Sequence, residues 1–219
     1  MTAPESPLGL GQALGWCGGY VGLLLLCALA DVTLWRRVCP AASPWLNLGM
    51  LALASLCYLR LLEGAGLLPR FWGNVTPKNI FLALACALLF FLTLDKGLDP
   101  LLDRWFPQSQ QAYAEGLAAL LAAPGPALVR VCLIAPVMEE TLTRGLLLGG
   151  LREAYGLPLA LCLSVGVFAL LHFDLAQTLS AAVCGLVLGA LYLHSGSLLC
   201  CILAHTVYNF VSYLALLRA

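Results

Sequence analysis

Residues 14–35 read LGWCGGYVGLLLLCALADVTLW, a run with one carboxylate, Asp31, and no Lys or Arg. A helix needs about 20 mostly apolar residues to cross the hydrocarbon core of a bilayer. It must also satisfy every backbone N–H and C=O within itself, because lipid offers no partners. This run meets the length, and Arg36 and Arg37 close it. Working outward, comparable runs stand at residues 45–62, 79–94, 127–151, 157–173, 175–193 and 197–217. A shorter apolar run, 113–123, reads as an interfacial or re-entrant half-helix broken by Pro124-Gly125-Pro126. The expectation is an all-α fold, a polytopic transmembrane helix bundle of about 6–8 membrane helices around an internal polar cavity.

Composition supports this. Hydrophobic residues make up 62% of the 219 and charged residues 10%, with a mean hydropathy of +0.94. Soluble domains average about 45–50% apolar and about 25% charged, so a soluble domain is excluded, as is a disordered chain. Eleven Lys and Arg balance eleven Asp and Glu; without a basic surface, no nucleic-acid partner is expected. The flank 1–13 has no Lys or Arg, which argues against a cleavable signal peptide. The arginines after the first run place the N-terminus outside by the positive-inside tendency, although later loops do not alternate cleanly.

Of the ten cysteines only Cys39 falls in an expected loop; the other nine lie in apolar runs and no CxxC pair occurs. They read as small packing residues. The longest polar stretch, 95–111, holds Lys96, Asp99, Asp103 and Arg104. No internal repeat or low-complexity tract is present. The expected division is N-terminal membrane helices over 1–123 and a chemistry-bearing core over 124–219. Trp35, Trp45, Trp72 and Trp105 near run ends read as interfacial anchors.

Ionisable groups at membrane depth are costly and persist when paired or when facing a wet cavity. The second half of the chain holds such a set on three runs: Glu139, Glu140, Arg144, His172, His205 and Asn209. Glu140 and Arg144 are four apart in the favourable order and share a helix face. Glu139 is rotated from Glu140 by about 100° and points elsewhere. The plain alternative is an ion pair that only staples helices. His172 follows Phe168 by four near the end of a run, and taken alone it reads as an interfacial, hydrogen-bonded histidine. His205 and Asn209 also share a face; they suit donation to one point, as an oxyanion requires, or a hydrogen bond across helices.

Taken together, Glu139-Glu140…Arg144, Phe168…His172 and His205…Asn209 resemble the CPBP family of intramembrane endopeptidases, also called the type II CAAX-protease or Abi family. The pattern EExxxR, FxxxH, HxxxN stands intact and in order, and the matched core spans 127–217. The resemblance implies a CAAX-protease-like endopeptidase of glutamic type. Glu139 and His172 would activate a water, His205 and Asn209 would stabilise the oxyanion, and Glu140 and Arg144 would orient Glu139. It implies a membrane-anchored or lipid-modified protein substrate, the lipid bilayer as surroundings, and no cofactor.

Two histidines and a carboxylate, Glu139, His172 and His205, also suit zinc, though the helical HExxH motif is missing. Serine chemistry lacks a GxSxG elbow; Ser195 beside His194 reads as a polar turn. An aspartyl site would show GxGD, which is also missing. Outside catalysis, the alternative is a membrane scaffold, a bacteriocin-immunity protein or a small transporter. No paired halves are visible for a transporter, and a scaffold has no need of the full set of polar residues. The compact length leads to the expectation of a multi-pass protein of a bacterial inner membrane.

Overall fold

The computed structural model describes residues 8–218 apart from Phe173. All regular structure among them is helical. We number eight helices: α1 (Leu10–Val38), α2 (Ser43–Gly64), α3 (Pro77–Trp105), α4 (Pro107–Leu121), α5 (124–155), α6 (Leu157–Leu170), α7 (Leu175–Ser195) and α8 (Leu198–Leu216). The contacts divide the chain into two compact units, one ending at Leu68 and one beginning at Pro69.

In the first unit α1 packs on α2. The Tyr20 hydroxyl lies 3.0 Å from Ser55 Oγ, and the Tyr58 hydroxyl donates to the Trp16 carbonyl. Gly19 leaves room for that ring, since a Cβ there would stand 3.1 Å from the Tyr58 hydroxyl. The polar residue of the first apolar run is paired: Asp31 is buried and accepts from Arg36 Nε at 2.8 Å. Leu25, Leu26 and Leu29 remain exposed, as a lipid-facing surface requires.

The second unit contains α3 to α8. Prolines open α3, α4 and α5 where a missing N–H is harmless. Thr76, Asp174 and Ser197 cap the starts of α3, α7 and α8 with side-chain oxygens. Gly196, at φ 59°, makes the left-handed turn between α7 and α8. α8 packs on α3, α5 and α7, and α7 also packs on α6. The interior between α3, α6, α7 and α8 is filled by Phe90, Leu94, Phe168, Leu188, Cys201 and Ala204, among others. Gly185 and Gly189 on α7 permit close approach: a Cβ at Gly189 would stand 2.8 Å from Leu161.

Among the described residues, five helices are long and apolar enough to cross a bilayer: α1, α2, α3, α7 and α8. An all-α polytopic bundle is therefore the architecture, but the expected helix number is reached only by adding α5 and α6. α5 holds Arg130, Glu139, Glu140 and Arg144 within its length. The 14 residues of α6 rise about 21 Å at 1.5 Å each, short of a full crossing. The polar stretch after residue 94 begins as helix. α3 runs through it to Trp105 by way of a π-helical segment, Phe91–Leu98, because its carboxylates find partners inside the bundle. Asp95 accepts from the Tyr208 hydroxyl at 2.7 Å and from Ser212 Oγ at 2.5 Å, and Asp99 accepts from Ser180. The half-helix expected at 113–123 is the latter part of α4. The run expected to reach 173 ends as helix at Leu170; Phe173 itself lies outside the described residues.

Cys17, Cys27, Cys86, Cys132, Cys184, Cys200 and Cys201 are buried free thiols, and Cys39, Cys57 and Cys162 are exposed free thiols. An extended strap, 69–76, ties into the α7–α8 turn: Leu199 N donates to Phe71 O at 3.0 Å and Asn74 N to Ser195 O at 3.2 Å.

Candidate active site

α5 carries two π-helical segments, Arg130–Ile134 and Thr141–Gly149, on either side of its glutamates. Widened turns leave carbonyls without their usual N–H partners, and such segments cluster at functional sites. Here Thr141 and Thr143 return their hydroxyls to Val137 O and Glu139 O, each at 2.6 Å. The adjacent glutamates separate as the helix geometry demands. Glu140 has no solvent exposure and pairs with Arg144 Nη1 at 3.0 Å, while the Glu139 side chain keeps 21% exposure.

Arg144 is also fully enclosed. Besides Glu140 it donates to Thr143 Oγ1 at 2.8 Å and to the Gly185 carbonyl of α7 at 3.0 Å. Its guanidinium lies over the Phe168 ring, 4.2 Å from the centroid, a cation–π contact in a desolvated place. His172 and His205 also pack edge-on against that ring, with centroids at 5.3 and 5.5 Å.

His205 on α8 joins the two glutamates. Its Nδ1 donates to Glu140 Oε1 at 2.9 Å, and its Nε2 is turned to Glu139 Oε2 at 3.9 Å. His172 sits in the turn after α6. The N–H that an α-helix would aim at the Phe168 carbonyl is that of His172, which donates to Ala169 O instead. The ring makes up the loss, with Nδ1 donating to Phe168 O at 3.0 Å. A carbonyl only accepts, so this bond sets the tautomer and leaves Nε2 as the nitrogen free to take a proton.

Glu139, Phe168, His172, His205 and Asn209 line one cavity of about 880 Å³, whereas Glu140 and Arg144 lie behind its wall. Glu139, Glu140, Arg144 and His205 thus meet directly, and His172 and Asn209 share the chamber. Asn209 also bonds across helices, its Nδ2 donating to the Val131 carbonyl at 2.9 Å. Ser195 is the buried last residue of α7, donating to Leu191 O and accepting from Ser197 N. Among the described residues no three His, Cys, Asp or Glu side chains converge to hold a metal ion. The triad Glu139, His172 and His205 does not form such a set.

Sequence reasoning missed the roles of Thr143, the Gly185 carbonyl and the Asp95–Tyr208–Ser212 cluster. Tyr208 and Ser212 follow His205 by three and seven, a helix-face spacing that pointed to them. Nothing local pointed to Asp95 or Gly185.

No curated protein and no solved structure matches the chain. Residues 121–211, a segment that contains all six residues of the site, match the family model described as type II CAAX prenyl endopeptidase Rce1-like.

Proposed function

We propose that this integral membrane protein is an intramembrane endopeptidase of glutamic type that hydrolyses a peptide bond in a membrane-anchored or lipid-modified protein. The match of residues 121–211 to the type II CAAX prenyl endopeptidase family model supports a CAAX-protease-like peptidase. The observation that carries the finer reading is the division of labour between adjacent glutamates. Glu140 is enclosed and held by Arg144 and His205, while Glu139 faces the cavity within reach of His205 Nε2.

In this reading a water in the cavity gives its proton to Glu139, assisted by His172 Nε2, as its oxygen attacks the scissile carbonyl carbon. The carbonyl electrons move onto the oxygen. His205 Nε2, when it carries a proton, and the second N–H of Asn209 Nδ2 stabilise that charge. Collapse breaks the C–N bond, and the proton passes from Glu139 or His172 to the leaving nitrogen, so that a carboxylate and an amine result. Glu140 and Arg144 fix the ring of His205, and through it the orientation of Glu139.

Terminal-peptide mass spectrometry on membranes carrying wild type or Glu139→Ala tests this. Cleavage termini present only with wild type establish proteolysis and identify the substrate. Identical termini at equal protein levels overturn it and favour a binding or immunity role.

A further inference from the structure

The bond between Asn209 and Val131 has a covalent cause in α5. At the end of the first π-helical segment the Ala135 N–H reaches back five residues to Arg130 O. In that register the donor for Val131 O would be the main-chain nitrogen of residue 136. Residue 136 is Pro, buried in α5 and without an N–H. The two residues that could serve Val131 O along the helix are therefore spent or lack a proton. A buried carbonyl so stranded requires a partner from elsewhere, and the donor 2.9 Å away is the side-chain amide of Asn209 on α8.

We propose that Pro136 and Asn209 act as a pair that sets the register of α5 against α8, with Asn209 a positioning residue for Glu139. This rests on the proteolytic reading above. Pro136, three residues before Glu139, strands the Val131 carbonyl, and Asn209 takes it up one turn beyond His205. α8 then grips α5 on either side of Glu139, His205 on Glu140 and Asn209 on Val131, while Tyr213 holds the start of α5 through the Pro124 carbonyl. The 3.9 Å approach of Glu139 to His205 depends on both grips. An Asn amide has two N–H groups, so this bond leaves one free for the chemistry.

The experiment is a double-mutant cycle of Pro136→Ala and Asn209→Ala. The substitution at 136 adds an amide in line with Val131 O and makes the side-chain donor redundant. Hydrogen exchange of the amides of 132–140 should quicken roughly tenfold in Asn209→Ala, the equivalent of one lost hydrogen bond, and return toward wild type in the double variant. The loss of cleavage caused by Asn209→Ala should be roughly tenfold smaller in the Pro136→Ala background. Exchange unchanged by Asn209→Ala overturns the proposal, as does a rise that Pro136→Ala fails to reverse. A chain that cleaves nothing in its wild-type form overturns the proteolytic reading instead, and exchange still decides the register.

Discussion

Replacing Arg144 by Ala removes the hub of the buried network. The side chain has no solvent exposure and reaches Glu140, Thr143 and Gly185 at 3.0, 2.8 and 3.0 Å while covering the Phe168 ring. Without it Glu140 keeps only His205 as a partner, and the Gly185 carbonyl loses its side-chain donor. Breaking a buried ion pair from one side costs about 3–5 kcal/mol, because a charge is left uncompensated. For a chain of this size about 2–4 °C of Tm goes with each kcal/mol, so Tm should fall by about 6–20 °C. The assay is thermal unfolding of the purified protein in one detergent, with monodispersity as a check on folding. The double substitution Glu140→Gln with Arg144→Met removes both charges at similar volume and should recover at least half of the lost Tm. A fall below about 3 °C for Arg144→Ala, or a double variant no better than the single one, would refute the view that the pair is interdependent.

Further outcomes follow from other contacts. Gly73→Ala drives a methyl into the Gly196 carbonyl, backbone against backbone, where no rotamer relieves it. It should cost about 1–3 kcal/mol, read as a lower Tm; an unchanged Tm would mean that the strap does not hold the α7–α8 turn. Tyr208→Phe keeps the edge-on contact with Phe90 and removes one of the two hydroxyl donors to Asp95. A hydrogen bond to a charged group is worth about 1.5–3 kcal/mol, so a clear drop in Tm is expected, and none would show that Ser212 suffices. Treatment with 1,10-phenanthroline should leave the wild-type cleavage termini unchanged. Their disappearance, with recovery on adding zinc, would replace the glutamate mechanism by a metal one.

Features that depend on one segment at a time could be read directly from the residues. The membrane runs were legible because a helix in lipid satisfies its own backbone, so length and apolarity suffice. The Glu140–Arg144 pair was legible because four residues make one turn, and the outward turn of Glu139 followed from the same geometry. The tertiary structure decided which distant groups complete each polar atom. Arg144 finds a carbonyl 41 residues away, Asn209 one 78 away and Tyr208 a carboxylate 113 away. These choices depend on how α3, α5, α7 and α8 cross, which no local period encodes. The helical course of the polar stretch after residue 94 was hidden for the same reason: its carboxylates stay in a helix because α7 and α8 bring hydroxyls to them. The π-helical turns were hidden as well, since a widened turn is stable only where side chains from its own or a neighbouring helix take up the carbonyls it strands.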